Sequence, residues 1–309
     1  MPPDVDNRLR LAKWCETVGP VFFNPQPRLS ADDTVDRLAV VSWNIHEGRG
    51  DVHEVIRRLR LGEFTAGEPI EQFVLLLQEA TRRDGGVPAR VPPGAPAPRR
   101  IRGPSGSDRD VRRFAEQGFA VLYAPSMRNG ESAGLGEDRG NAIVSTLALT
   151  RPTLIELPLE RQRRVAVVTA VEGRRRTGAV WHLDLVDVHL DTTLALLHGG
   201  PLAARRRQAA ALLAALRDVS DFAARDTAAV VAGDLNAWLG EREPAVNLLR
   251  REFPGASPST AGPTWTGALG VRARLDHMFV RGTVSPSAVT RLPGRFGSDH
   301  YPLLTVIDF

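Results

Sequence analysis

Ser298-Asp299-His300-Tyr301-Pro302 sets an acid beside an imidazole in a short polar corner, ahead of an apolar run from Leu303 to Ile307. Proline ends any helix, and a polar corner before a strand is a place where active sites are mounted. Other apolar runs also end in residues that can do chemistry. Leu38 to Trp43 ends in Asn44, Phe73 to Leu77 ends in Gln78-Glu79, and Val186 to Val188 leads into His189-Leu190-Asp191. Ala228 to Ala232 runs into Gly233-Asp234-Leu235-Asn236, and Arg274-Leu275-Asp276-His277 precedes Met278 to Val280. Together these ends offer carboxylates, amides and imidazoles, and no thiol. Such a set suits a hard cation, Mg²⁺ first and then Mn²⁺ or Ca²⁺, whereas zinc sites usually show closely spaced Cys or His. A hard cation beside two histidines suits hydrolysis of a phosphate ester. The metal neutralises phosphoryl charge, a carboxylate orients or deprotonates water, and an imidazole donates to an oxygen that gains charge in the transition state.

The elements that must carry these residues are short. Apolar runs bounded by Gly, Asn and Asp read as buried strands, with Trp43, Leu75 to Leu77 and Val230-Val231 as core. Pro201 to Arg225 reads as an amphipathic helix, with Leu202, Ala209, Leu212, Leu213, Leu216 and Val219 on one face and Arg205 to Arg207 opposite. It leads into the run that carries Asp234, which implies a sheet covered by helices. Arg161 to Arg164 and Arg174 to Arg176 flank Val165 to Val171 and read as guards of an exposed strand edge. Residues 1–37 are proline-rich and read as an N-terminal extension wrapping a single domain over 38–309, anchored by Trp14 and Phe22-Phe23. Residues 82–113 hold many arginines among prolines and glycines and read as a long surface loop. It is either a basic flap that grips a polyanion or a solvated insertion.

Seven blocks occur in order along 38–309: Trp43-Asn44, Gln78-Glu79, Gly140 to Ser145, His189 to Asp191, Gly233 to Asn236, Arg274 to Asp276 and Ser298 to His300. This series resembles the endonuclease/exonuclease/phosphatase superfamily, also called deoxyribonuclease I-like. The resemblance implies an α/β fold, a four-layer sandwich of two packed mixed β-sheets flanked by helices, with the site at one end. It implies Asn44, Glu79 and Asp299 as metal ligands. Asp234 would orient or deprotonate the attacking water, and Asn236 would hold that water or a phosphate oxygen. His300 would contact the scissile phosphate with Asp276 fixing its tautomer, and His189 would be the second imidazole. Asn141 is expected to bind substrate, as is Arg82, a guanidinium three residues after Glu79. One departure concerns His189. Pancreatic-type deoxyribonucleases pair the matching histidine with a glutamate near a block that here reads Gly140-Asn141, leaving Glu137 or Asp138 as substitutes. Ile45-His46-Glu47-Gly48 also differs from the first block of the abasic-site repair enzymes and speaks against that branch. His46 and Glu47 are open to a functional or a bland reading, while His53, His182, His198 and His277 read as structural or surface.

Composition bounds the rest. The chain has 309 residues, 42% of them hydrophobic, enough for a sizeable core. A sequence pI of about 10.1 suggests nucleic acid, but Lys13 is the one lysine, so almost nothing titrates between neutrality and arginine. The formal charge of +4 is mild and is the better guide. We expect a phosphodiesterase or endonuclease acting on nucleic acid with little sequence preference. The alternatives are a lipid phosphodiesterase or phosphoinositide phosphatase, for which Ala268-Leu269-Gly270-Val271 is a small candidate membrane contact, and a phosphate-binding module without catalysis. A monomer is expected, with no transmembrane segment and no signal peptide; the lone Cys15 favours a reducing compartment such as the cytoplasm.

Overall fold

The computed structural model describes residues 5–27, 34–96, 109–132, 134–192, 199–219, 227–255, 262–282 and 284–309. The centre of the basic loop, the last part of the expected helix to Arg225, and His198 lie outside them. Five helices accompany the strands: α1 (Val5–Cys15), α2 (Val52–Arg60), α3 (Arg112–Glu116), α4 (Gly200–Asp218) and α5 (Pro244–Glu252). The first sheet contains β1 (Phe22–Asn24), β2 (Arg37–Asn44), β3 (Phe73–Arg82), β4 (Ala120–Ser132), β5 (Leu135–Ser145), β13 (Ser285–Pro286), β14 (Thr290–Arg291) and β15 (Leu303–Asp308). The second contains β6 (Thr150–Glu156), β7 (Val165–Arg174), β8 (Val180–His189), β9 (Ala229–Asp234) and β12 (Asp276–Arg281). Two short strands, β10 (Trp265–Thr266) and β11 (Arg272–Ala273), pair by themselves.

The strand order is β1-β4-β5-β3-β2-β15-β13 in the first sheet, with β14 also on β15, and β12-β9-β8-β7-β6 in the second. Each sheet is mixed through one parallel pair, β2 with β3 and β8 with β9. The apolar runs are continuous because both faces of these strands are covered. In β2, Leu38 and Val40 face the core between the sheets, while Ala39, Val41 and Trp43 face the layer that holds α2. In β9, Val230 and Ala232 join the inter-sheet core, and Ala229 and Val231 pack with Leu212, Leu213 and Leu249 of α4 and α5. The four layers expected from the resemblance are thus present: helix, sheet, sheet, helix, with strands predominating.

Three expectations change. The run Val165 to Val171 is not an exposed edge, since β7 lies between β6 and β8 and those residues are buried. The helix ends at Asp218, and Arg205 does not face away from its apolar side: it is buried, with Nε 2.8 Å from Glu243 Oε1. The start of the basic loop is not free either, because Val87 is buried and Arg128 donates to the carbonyls of Pro88 and Ala89.

At one end the inter-sheet layer turns polar. Gln78 Nε2 donates to Asp187 Oδ1 at 2.6 Å, and Asn141 Nδ2 donates to the carbonyls of Val165 and Asp187. Asp187 is fully buried. Burial pushes its carboxyl up to about 8, against hydrogen bonds from Gln78 and the Ala142 backbone that favour the anion. The folded chain therefore keeps a proton that the unfolded chain has lost above its ordinary value near ~3.9. Between these limits the contribution of Asp187 to stability falls as pH rises, by up to ~1.4 kcal/mol per pH unit. Asp187→Asn should flatten this slope, so that urea midpoints of variant and wild type diverge from pH 5 to pH 8 in the variant's favour; parallel curves would refute it.

Candidate active site

Strand direction gathers the site. The parallel strands bring their C-terminal ends, Asn44 on β2, Glu79 in β3, His189 on β8 and Asp234 on β9, to one end of the sandwich. The antiparallel strands bring their N-terminal ends there, with Asp276 opening β12 opposite Asp234 and His300 shortly before β15. Gly233 allows β8 and β9 to close up, since a Cβ there would stand 1.8 Å from the Val188 carbonyl oxygen.

Asp234 is the centre. Its Oδ2 accepts from Asn44 Nδ2 at 2.9 Å and lies 3.4 Å from His189 Nε2 and 3.8 Å from His300 Nε2. Its Oδ1 accepts from the Asn236 backbone N–H at 2.8 Å, and Asn236 Nδ2 donates to the Leu190 carbonyl at 3.0 Å. Behind His300, Asp276 Oδ2 sits 2.8 Å from Nδ1. Trp43 Nε1 donates to the His300 carbonyl, and Ser298 Oγ bridges the Asn44 carbonyl and the His300 N–H. The orienting role implied for Asp276 has its geometry here.

The two imidazoles are pushed in opposite directions. Burial disfavours charge on His300, but Asp276, Asp234 and Asp299 outweigh it and raise the group to about 10. Burial lowers His189 well below its usual value, helped by Arg164, and its Nε2 has no hydrogen-bond partner among the described residues. His300 is therefore a charged donor and His189 a neutral imidazole. Burial also raises the Asp234 carboxyl, against the pull of His300. Neither Glu137 nor Asp138 serves His189, since Glu137 accepts from Asn129, and Asp138 accepts from Arg82, Tyr123 and the Gly19 N–H.

Glu79 lies where β3 bulges against β5 and has a left-handed φ of 58°. A bulge re-aims one side chain, here into the site. Glu79 Oε2 accepts from Arg139 Nη1 at 3.2 Å and from the Glu47 N–H at 3.1 Å; Arg139 Nη1 also lies 2.9 Å from Glu47 Oε1. Burial opposes ionisation of Glu79, but Arg139 and, beyond it, Arg164 and His300 hold it down to about 2. Asp299 is also held at about 2 against its burial, by His46 Nδ1 at 2.8 Å and by neighbouring His300. Its Oδ2 accepts from Trp265 Nε1 at 3.0 Å. The implied ligands are thus two ionised carboxylates and an amide, a set that fits a hard cation. Asp234, Asp276 and His300 also bring ligand-type atoms within 4.8 Å of one another. There the Asp276–His300 hydrogen bond already engages Nδ1.

Two expected contacts are committed elsewhere. Arg82 is buried, with Nη2 2.5 Å from Asp138 Oδ2 and its other terminal nitrogen on the Pro20 carbonyl, so it is no phosphate clamp. Asn141 ties the sheets together through its amide nitrogen rather than reaching out for substrate. Sequence reasoning in turn gave no role to Arg139 or Trp265, and it placed Arg164 on a strand edge. Arg164 is buried, its Nη2 donates to Gln162 and its Nε has no hydrogen-bond partner. Arg139 stands two residues before Asn141 in a matched block, and strand alternation could have set it on the site side.

The sequence profile of the Endonuclease/Exonuclease/phosphatase family matches residues 41–300. The chain belongs to this family. Members of the family are phosphoester hydrolases. Among solved structures, a family protein from Bacteroides thetaiotaomicron is 12% identical, with a TM-score of 0.54 over 88% of this chain and 97% of that one. One from Leptotrichia buccalis is 10% identical, with a TM-score of 0.52 over 88% of this chain and 100% of its own. A humanized Danio rerio TDP2 is 17% identical, covering 89% and 100%, with a TM-score of 0.49. No curated protein matches the sequence. At these identities the structural neighbours speak to the fold alone.

Arg139 separates buried Glu47 from partly buried Glu79, so its removal leaves two carboxylates facing each other. Arg139→Met should lower stability by about 3 kcal/mol, read as a shift of the urea midpoint, and Glu47→Gln in that background should recover part of it. An unmoved midpoint would show that the bridge does not hold the site.

Proposed function

We propose that this family member is a divalent-metal-dependent phosphodiesterase acting on nucleic acid with little sequence preference. The observation that carries the reaction is the convergence of Asn44, His189 and His300 on one oxygen of Asp234, with Asp276 behind His300. Asn44, Glu79 and Asp299 would hold Mg²⁺, with Mn²⁺ or Ca²⁺ as alternatives; when bound, the ion supplies neutralisation of phosphoryl charge. Asp234, its carboxyl raised by burial, takes the proton of the attacking water while Asn236 positions that water. His300 donates from Nε2 to a phosphate oxygen as negative charge builds there, and Asp276 holds the ring. Neutral His189 is the second contact to the phosphate. Arg164 adds a buried positive charge on the same side, with Nε available.

The preference for nucleic acid draws on the arginines beyond Glu79. Thr81, two residues along β3, lines a cavity of about 260 Å³ with Arg83, Arg109, Arg112 and Arg113, alongside Asp110, Glu116 and Glu137. Arg109 Nη1 is buried there without a hydrogen-bond partner among the described residues, an arrangement suited to an anionic oxygen. The lipid alternative draws on Leu269, fully exposed at a hairpin tip. Among the described residues no helix is long and apolar enough to cross a membrane.

In Mg²⁺ buffer, single-stranded and plasmid DNA, RNA, sphingomyelin, inositol phosphates and a simple bis-ester form the deciding panel. We expect turnover of nucleic acid, loss of it with EDTA, and losses of at least about a hundredfold for Glu79→Ala and for His300→Ala with unchanged circular dichroism. Turnover of the lipid or inositol substrates alone would overturn the substrate, and full activity in both variants would overturn the mechanism.

A further inference from the structure

One rim of the site carries apolar surface that phosphate chemistry does not need. Trp238 and Leu239 come two and three residues after Asn236 in the chain and are 39% and 53% exposed. Next to this loop, through the Trp238–Trp265 ring contact and Arg274 Nη1 2.8 Å from Glu241 Oε1, β10 and β11 form a hairpin whose tip holds the fully exposed Leu269 and then Val271, 53% exposed. Leu269 has a φ of 59°, a left-handed conformation that costs a branched side chain on the order of 1 kcal/mol. Large apolar side chains left in water at a site mouth are unfavourable unless something covers them.

The patch is continuous with the catalytic groups. Trp238 and Trp265 meet edge to face, with ring centroids 5.2 Å apart, and Trp265 Nε1 donates to Asp299 Oδ2 at 3.0 Å. Whatever rests on Trp238 is therefore two side chains from Asp299, close enough to be joined to the reacting phosphate. We propose that Trp238, Leu239 and the Leu269 tip form a stacking platform for an unpaired nucleobase next to the scissile phosphodiester. The substrate is then single-stranded or locally unpaired nucleic acid. This rests on the nucleic-acid reading above.

The chemistry of the rim suits that occupant. A paired base inside a duplex has both faces covered, whereas an unpaired one offers a flat π-face that any indole can take, whatever the base. An exposed leucine beside it is the kind of side chain that wedges between base steps. Exposed Arg272, at the foot of the same hairpin, is placed for a neighbouring phosphate. An acyl chain would remain in its bilayer and has no flat ring to match the indole pair.

The test compares oligo(dT) with an oligomer of equal length built from base-free tetrahydrofuran phosphodiester units, in Mg²⁺ with the full chain. Wild type should favour oligo(dT) in kcat/KM by roughly 5- to 100-fold. Trp238→Ala should bring this ratio close to one, Leu269→Asp should lower it, and Trp238→Phe should keep most of it. A ratio untouched by Trp238→Ala overturns the platform. So does a Leu269→Asp variant that keeps the ratio but loses binding to phosphatidylcholine/phosphatidylglycerol vesicles, which would make the rim a bilayer contact. Equal turnover of both oligomers by wild type overturns the platform alone, and turnover of neither overturns the nucleic-acid reading with it.

Discussion

Asn44 ends a strand of one sheet, Asp234 ends a strand of the other, and the 2.9 Å bond between their side chains joins the sheets at the site. Over most of their length the sheets are held by aliphatic packing, which resists separation but has little directional preference. Near the site the contacts become directional: Asn44 to Asp234, Gln78 to Asp187, and Asn141 to two backbone carbonyls of the second sheet. A shift of one sheet on the other would break all of them together and leave buried polar groups unpaired. Packing supplies the stability of the sandwich, and these bonds supply its register.

That register makes the charges tolerable. Glu79, Asp234, Asp276, Asp299 and two histidines share a small, largely buried volume, which is possible only where each charge meets a fixed opposite one. Arg139 stands between Glu47 and Glu79, Asp276 and Asp234 flank His300, and His46 lies against Asp299. His189 is buried, with Arg164 near it instead of a dedicated carboxylate, and so stays neutral. The asymmetry visible in the sequence, an acid for His300 and none for His189, becomes a difference in protonation state. Two chemically identical side chains thereby acquire different abilities at one pH.

Much of this was legible because strand ends are punctuated. Continuous apolar runs marked β2, β3, β9, β12 and β15, since strands covered on both faces need no polar positions, and the residues at one end of each run are the ones the fold gathers. Arginines were not legible. Arg82, Arg139, Arg164 and Arg205 are all buried, and the carboxylates that Arg82, Arg139 and Arg205 meet lie far away in sequence, as with Glu47, 92 positions before Arg139. A run such as Arg161 to Arg164 reads as solvated until β6 and β8 are seen to enclose β7, because long stems reach partners that spacing does not encode. Arg82 was misplaced for the same reason. Beside a metal ligand in sequence, it turns away towards Asp138 on the neighbouring strand β5.

Backbone strain is concentrated where chemistry is expected. His46, Glu47, Glu79 and Asn236 all have left-handed φ without being glycine, and Leu269 on the rim does too. Each costs on the order of 1–3 kcal/mol and persists only where surrounding contacts over-determine it. Those contacts can be named: Asn44 Oδ1 on the His46 N–H, Glu79 on the Glu47 N–H, and Asp234 Oδ1 on the Asn236 N–H. In each case the group that holds the strained residue is itself a site residue, so loop geometry and charge arrangement are one system. Leu269 differs, since its apolar side chain is fully exposed to water. Strain and exposure on the same residue, on the rim of an otherwise compensated site, are most simply offset by a ligand that arrives with the phosphate.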